Sequence, residues 1–252
     1  HSTYVNNTQL LSEVYSKIKN LKVAVIGGGA AGFFAAISAK THHPKTDVQL
    51  FEKSSKLLSK VLVSGGGRCN VTHACYSGKE LSKNYPRGEK FLKQAFKEFQ
   101  VEDTIRWFGS QGVELKKEDD GRMFPTTNNS STIANALMNR AQELGVSVHL
   151  SSPINSIEPQ NEGFLLKSKI GVQSFDKVIV ASGGSPKRSG LLWLENLGHD
   201  IIDPVPSLFT FNMPHESIIK LMGVSVSKAR LRIRNTKLEV SAPLLVTHWG
   251  MS

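Results

Sequence analysis

An α/β fold built on a parallel sheet is what this 252-residue sequence predicts, and three observations carry the reading. The first is Val23 to Ile26, four uncharged β-formers that run straight into glycines. Such a run reads as a strand buried on both faces, central in a parallel sheet. The second is the spacing of Gly27, Gly29 and Gly32, G-x-G-x-x-G, followed at once by an apolar helical stretch from Phe33 to Ala39. The third is Asp47 to Glu52, an alternating strand that closes on an acid twenty residues past Gly32. Strand, glycines, helix, strand and acid make one βαβ unit of the length a dinucleotide site requires.

Each glycine has a physical task in that unit. Gly27 permits the tight strand-to-helix turn, Gly29 lets a pyrophosphate approach the backbone, and Gly32 lets helix and strand pack closely. Ala30 and Ala31 open the helix, so their free N–H groups and the positive dipole end face the phosphates. Glu52, with Lys53 behind it, stands where a ribose-binding carboxylate belongs. The plainer readings are a glycine-rich turn or a membrane helix. The second fails because Val23 to Ala39 is short of about 18 residues and breaks at glycines.

The composition is that of an ordinary globular protein, 39% hydrophobic and 21% charged. A polar N-terminal stretch, His1 to Lys19, carries no secretory pattern, and the two cysteines, Cys69 and Cys75, form no paired metal-ligand motif. A reduced, cytoplasmic protein with no membrane span and no metal is the expectation. The net charge of +10 raises a nucleic-acid or membrane-surface reading. Its densest basic stretch, Lys228 to Lys237, alternates with apolar residues and reads as a strand with one solvated face. No nucleic-acid partner is expected.

Taken in order, Thr8 to Lys19 has a helical period and reads as an N-terminal extension, residues 1–20. After Glu52 the second glycine cluster arrives: Ser64, Gly65, Gly66, Gly67, Arg68, Cys69, Asn70, Val71, Thr72. Three successive glycines cost much backbone entropy, and beside the first motif they read as a close approach to a ligand. Arg68 is expected to meet a phosphate, with a surface ion pair as the plainer reading. Asn70 and Thr72 offer hydrogen bonds to a ring or ribityl chain. Helices follow over Glu89 to Phe99 and Val101 to Gln111, with Gly112 closing the second. Val113 to Lys116 reads as a short strand, and Asp119 to Pro125 as a turn leading into an apolar pair. A helix capped by Ser130 or Ser131 runs to about Leu144, and Val146 to Leu150 is a strand. Pro153 to Glu158, Phe164 to Lys169 and Val172 to Phe175 suggest a meander. Lys177 to Gly184 is a third strand ending in small residues, as if Ala181, Ser182 and Gly183 pass near the same ligand. Gly190 to Leu197 reads as helical. Pro204 and Pro206 mark a boundary, so residues 21–206 form the dinucleotide-binding domain and 207–252 begin a β-rich second one.

These segments resemble the BaiN/RdsA-type NAD(P)/FAD-dependent oxidoreductases, some of them aminoacetone oxidase-like flavoproteins. The likeness rests on Val25 to Gly32, Ser64 to Thr72, Gly121 to Pro125, Val178 to Gly184, Leu197 to His199, Pro206 to Leu208 and Thr247 to Ser252. It covers the chain from about Lys22 onward, and the S-G-G-G-R-C-N segment is its most specific part. The resemblance implies FAD held by a glutathione-reductase-like Rossmann domain with a β-rich domain inserted in it. It implies that Gly27, Gly29, Gly32 and Glu52 serve pyrophosphate and ribose, and that Arg68, Cys69 and Asn70 lie toward the flavin. By the same likeness Ile154 lies near the adenine, and Ala181 to Gly184 near the pyrophosphate. Members run longer, so this chain is expected to be a fragment ending inside the inserted domain. The segment Ser185 to Leu191 is also shorter than the family's usual glycine-rich stretch.

The implied chemistry is flavin-mediated hydride transfer with a small or steroid-like substrate, and with NAD(P)H as donor and co-substrate. The alternatives are an FAD-dependent amine oxidase using oxygen, an NAD-dependent dehydrogenase, and a basic nucleotide- or nucleic-acid-binding module without redox turnover. Cys69 and Cys75 have no C-x-x-C spacing. Cys69 therefore reads as a small buried residue beside the cofactor. His248 reads as structural, and the sequence names no catalytic acid or base.

Overall fold

A computed structural model describes residues 21–85, 87–205 and 210–252. The expected helix over Thr8 to Lys19 lies outside these residues. They form two compact units: residues 21–184 with Trp193–His199, and Ser185–Leu192 with Asp200–Ser252. The expected boundary at Pro206 lies outside the described residues. Arg188 gathers the residues before it, donating to the Ile201 carbonyl and pairing with Asp203 at 2.9 Å.

In the first unit, strand β1 (Lys22–Ile26), helix α1 (Ala30–His42) and strand β2 (Asp47–Phe51) realise the βαβ unit. Helix α2 (Ser59–Gly67) breaks at Ser64, and strand β3 (Thr72–His73) follows. Three helices come next, α3 (Gly78–Ser82), α4 (Glu89–Glu98) and α5 (Val101–Ser110). Strands β4 (Leu115–Lys117) and β5 (Arg122–Pro125) lead into helix α6 (Ser130–Glu143) and strand β6 (Ser147–His149). Strands β7 (Ile154–Gln160), β8 (Gly163–Ser168) and β9 (Gly171–Phe175) make the meander, and β10 (Lys177–Val180) returns to the main sheet.

The main sheet has the order β10-β1-β2-β6 and is parallel throughout. Strand β1 is therefore interior, and its alternation feeds two cores. Val23 and Val25 join Phe33, Ile37, Leu50, Ile133 and Leu137 on the helical face. Ala24 and Ile26 join Phe51, Leu166 and Phe175 under the meander. Each fully buried side chain of this size contributes roughly 1.5–3 kcal/mol, so a charge at Val25 would open the sheet. Strand β5 pairs antiparallel with both β3 and β4 in a separate sheet.

Two helix details correct the sequence reading. The cap of α6 is Asn129, whose side chain accepts from the Ser131 N–H at 2.9 Å. Ser130 is buried instead, and its hydroxyl donates to the Leu62 carbonyl, tying α6 to α2. The helix expected over Gly190 to Leu197 is only a 3-10 turn at Arg188–Gly190 and a single turn, α7 (Leu192–Glu195). Its stretch is too short to sustain propagation beyond a nucleating turn.

The second unit is antiparallel, with sheet order β11 (Phe211–Asn212), β14 (Gly250–Met251), β13 (Glu239–Thr247) and β12 (Ser225–Arg232). The basic strand stops at Arg232 rather than Lys237, because Ile233 to Lys237 turn the hairpin. Its alternation holds: Arg230 and Arg232 are exposed, while Ala229 and Leu231 are half-buried. Among the described residues no helix is long and apolar enough to cross a membrane.

Candidate functional site

Backbone hydrogen bonds bring the glycine turn after β1, the residues after β2 and the residues after β10 together at the C-terminal end of the parallel sheet. Gly27 N–H donates to the Phe51 carbonyl at 2.8 Å, Ala181 N–H to the Ile26 carbonyl at 2.8 Å, and Leu58 N–H to the Gly28 carbonyl at 2.9 Å. In open α/β sheets this end of the strands is where ligands sit. A cavity of about 820 Å³ opens there, within the range of about 300–1,000 Å³ typical of ligand sites.

The geometry gives each glycine a distinct reason. Gly27 has φ +115, and a Cβ on it would stand 2.4 Å from the Ala181 carbonyl oxygen. A Cβ on Gly32 would stand 1.8 Å from the Gly27 carbonyl oxygen, so only hydrogen fits between helix and strand. Gly29 has nothing within 4 Å of that position and faces the cavity. It is the residue before α1, offers no side-chain cap, and the first turn holds no acid. The N–H groups of Ala30 and Ala31 are thus left for an anion.

Glu52 is fixed by the same turn. One carboxylate oxygen accepts from Gly28 N–H and the other from Ser54 N–H, both at 2.8 Å. Burial pushes its pKa up, but the Ser54 and Gly28 N–H groups, the Ser54 hydroxyl and nearby Lys53 outweigh that and hold it below the ordinary value. Each oxygen keeps a lone pair for a further donor such as a sugar hydroxyl. Lys53, Lys56 and Lys60 add positive charge to the lining.

Of the residues expected from sequence, Gly27, Gly29, Ala30, Ala31, Glu52, Lys53, Cys69, Asn70, Ala181, Ser182 and Gly183 line this one cavity. Gly32 lies buried beneath it. Gly65, Gly66 and Gly67 stand outside the lining with φ of 57, 68 and 83. The Arg68 guanidinium points away from the cavity, bonded to Glu118 and stacked 3.9 Å from the Phe124 ring centroid. Ile154 packs into the core under the meander. Cys69 is buried at 6% exposure. Burial raises its thiol pKa, against a smaller opposing hydrogen bond with Ser64. Both cysteines are free thiols.

The sequence reading missed an aromatic wall. Phe34, from α1, meets Phe99 and Trp107 edge-on, each at 5.2 Å between centroids, and Trp107 meets Phe108 at 4.9 Å. All four line the cavity, with Ile133 and Leu137. Phe99, Trp107 and Phe108 fall in stretches that the sequence reads only as helices, and Phe34 in the helix after the glycines. One end of the cavity is therefore polar and anion-seeking, and the other is apolar and aromatic.

The family model described as the HI0933-like protein Rossmann domain matches residues 21–242. A 3-dehydro-bile acid delta(4,6)-reductase of Clostridium scindens is 25% identical over 244 residues, 92% of this chain and 58% of that protein. A ribosomal RNA dihydrouridine synthase of Escherichia coli is 27% identical over 239 residues, 90% of this chain and 57% of that protein. The chain thus spans a little under three fifths of these relatives. Among solved structures, a point variant of the FrdA subunit of E. coli quinol fumarate reductase matches with TM-score 0.50 and 14% identity, over 66% of this chain and 33% of that one. That likeness shows the fold alone. With the family match running through the glycine turn, the acid and the returning strand described above, the chain belongs to the HI0933-like Rossmann-domain family.

Proposed function

We propose that the cavity of the first unit holds FAD and that the protein is an FAD-dependent oxidoreductase. On this reading it adds hydrogen across a carbon–carbon double bond conjugated to a carbonyl, with NAD(P)H as donor. The observation that carries the reading is the cradle at Gly29. It leaves open space where any other residue would project a side chain, at an uncapped helix start and beside a carboxylate held by two N–H groups. These residues fit a dinucleotide: N–H groups of Ala30 and Ala31 toward the diphosphate, Glu52 toward a ribose, and the aromatic wall toward a flat ring system. We take residues 21–184 as the FAD-binding portion.

FAD bound there supplies the hydride chemistry. The chain's own part is to orient and to exclude water. Glu52, ionised at neutral pH, fixes the sugar end, and the three lysines offset diphosphate charge. Phe34, Phe99, Trp107 and Phe108 offer the other end an apolar wall for a flat ring. The choice of reaction leans on the relatives. A delta(4,6)-reductase and a dihydrouridine synthase both, by name, saturate a double bond in conjugation with a carbonyl. In balance, a hydride and a proton enter the double bond and the donor leaves as NAD(P)+.

A second reading, in which the double bond belongs to a uridine within RNA, has its own observation. Strand β12 is an edge strand on which Lys228, Arg230 and Arg232 are exposed, Arg230 paired with Glu239 at 2.7 Å. RNA affinity that falls steeply with salt would support it. The principal test is anaerobic stopped-flow mixing of the FAD-reconstituted chain with NADH and NADPH, then with a small cyclic enone. Bleaching followed by return of the flavin colour is expected. Bound flavin that neither nucleotide bleaches would overturn the reductase assignment.

A further inference from the structure

We propose that Arg68 is a positioning residue, one jaw of a clamp with Glu118 and Phe124 that holds Cys69 and Asn70 against the cavity without touching the cofactor itself. The inference rests on the FAD reading only for the identity of the cavity's ligand. Its basis is the meeting of two segments far apart in sequence, the glycine run ending at Asn70 and the strand β5.

The glycine run needs an external hold. Gly65, Gly66 and Gly67 are all left-handed, and Cys69 is left-handed too, at φ 63. Side chains other than glycine resist that conformation, so the turn persists only if its surroundings over-determine it. Locally the Arg68 and Cys69 N–H groups both donate to the Ser64 carbonyl, the second at 3.0 Å. The rest of the hold comes from β5. Val71 N–H donates to the Met123 carbonyl at 2.9 Å, and Thr72 and His73 pair with Met123 and Arg122.

Phe124 is the centre of the clamp. Its ring is fully buried. Against its edge lies Gly65, where a Cβ would stand 2.8 Å from Cε1 and 2.9 Å from the Asn70 nitrogen. Over its face lies the Arg68 guanidinium, 3.9 Å from the centroid, with Arg122 further out at 5.4 Å. Arg68 Nη1 and Nη2 both donate to Glu118, and Arg122 reaches the same carboxylate at 3.6 Å. A planar fork that stacks and pairs at once is specific to arginine; lysine retains only the charge. The bonded guanidinium faces away from the lining while the next two residues, Cys69 and Asn70, face into it. Arg68 thus trades a ligand contact for control of its neighbours.

The test is a double-mutant cycle on Arg68→Met and Glu118→Gln, with Arg68→Lys as the conservative variant. The readouts are iodoacetamide labelling of Cys69 in the unliganded chain, with Cys75 as internal standard, and FAD affinity. Glu118 is outside the cavity lining, and its isosteric change should leave the fold intact by circular dichroism. Each single variant should speed Cys69 labelling and weaken FAD by about tenfold, with the double variant no worse than either single. Arg68→Lys should not rescue, and Cys75 should label at the wild-type rate throughout. Weaker FAD binding in Arg68→Met, with Glu118→Gln like wild type in both readouts, would overturn the clamp and make Arg68 a direct anion ligand. Should the wild-type chain take up no FAD, labelling decides alone. Faster labelling in the variants then sustains the clamp while the FAD reading fails, and unchanged labelling overturns the clamp.

Discussion

Gly29→Ala and Gly32→Ala, three residues apart in one motif, should fail in different ways. At Gly32 the new methyl would lie 1.8 Å from the Gly27 carbonyl oxygen, a backbone atom that cannot swing aside. Relief requires moving α1 off β1, an overpacking whose usual cost is about 1–3 kcal/mol; a backbone collision this close belongs at the upper end. For a chain of this size about 3 kcal/mol corresponds to a Tm lower by roughly 6–12 °C. At Gly29 the methyl meets nothing within 4 Å, and the backbone, at φ −89 and ψ −175, suits alanine. Alanine caps a helix less well than glycine but narrows the unfolded ensemble, so the net change should stay within about 0.5 kcal/mol. Its methyl occupies the cavity, and FAD affinity should fall by at least about tenfold, or 1.4 kcal/mol. The assay is thermal unfolding without ligand beside FAD titration by flavin fluorescence. A Gly29→Ala protein as unstable as Gly32→Ala, or one that binds FAD like wild type, would refute the reasoning.

Other outcomes follow from the same geometry. Because the Glu52 carboxyl is held below its ordinary 4.5, its stabilisation is fully present above that value and is lost as pH falls through the lowered one. The Tm gap between wild type and Glu52→Gln should therefore be constant near neutrality and close in acid; a gap that widens in acid would contradict it. Asn129→Ala removes the cap of α6 and should cost about 1 kcal/mol, whereas Ser131→Ala should be nearly silent in the same melt. FAD uptake should quench Trp107, which lines the cavity; Trp107→Phe should abolish most of the quench, and an undiminished quench would assign it to another tryptophan.

The parts of the site that the sequence makes legible are those whose physics is local. Strand β1 follows from four apolar residues, and the separate tasks of Gly27, Gly29 and Gly32 follow from spacing alone. Glu52 is reachable because a βαβ unit has a nearly fixed length. For Arg68 the sequence left a phosphate contact and an ion pair both open. Its partner Glu118 lies 50 residues away, and nothing in S-G-G-G-R-C-N names that partner. The aromatic wall was hidden similarly, since Phe34 and Trp107 come from two helices whose meeting depends on tertiary packing. The α6 cap failed more narrowly. Asn129, Ser130 and Ser131 can all cap, and the Leu62 carbonyl drew Ser130 inward. The single turn at Leu192–Glu195 reflects a periodic pattern too short to decide a helix.

Three distant segments are proposed to share one cofactor. Hydrogen–deuterium exchange of the chain with and without FAD tests it most directly. Slowed exchange is expected together in the amides around Gly28 to Ala31, Glu52 to Ser54 and Ala181 to Gly184, with the edge strand Ser225–Arg232 unchanged. A folded chain in which FAD slows none of the three, or protects residues only in the second unit, would contradict it.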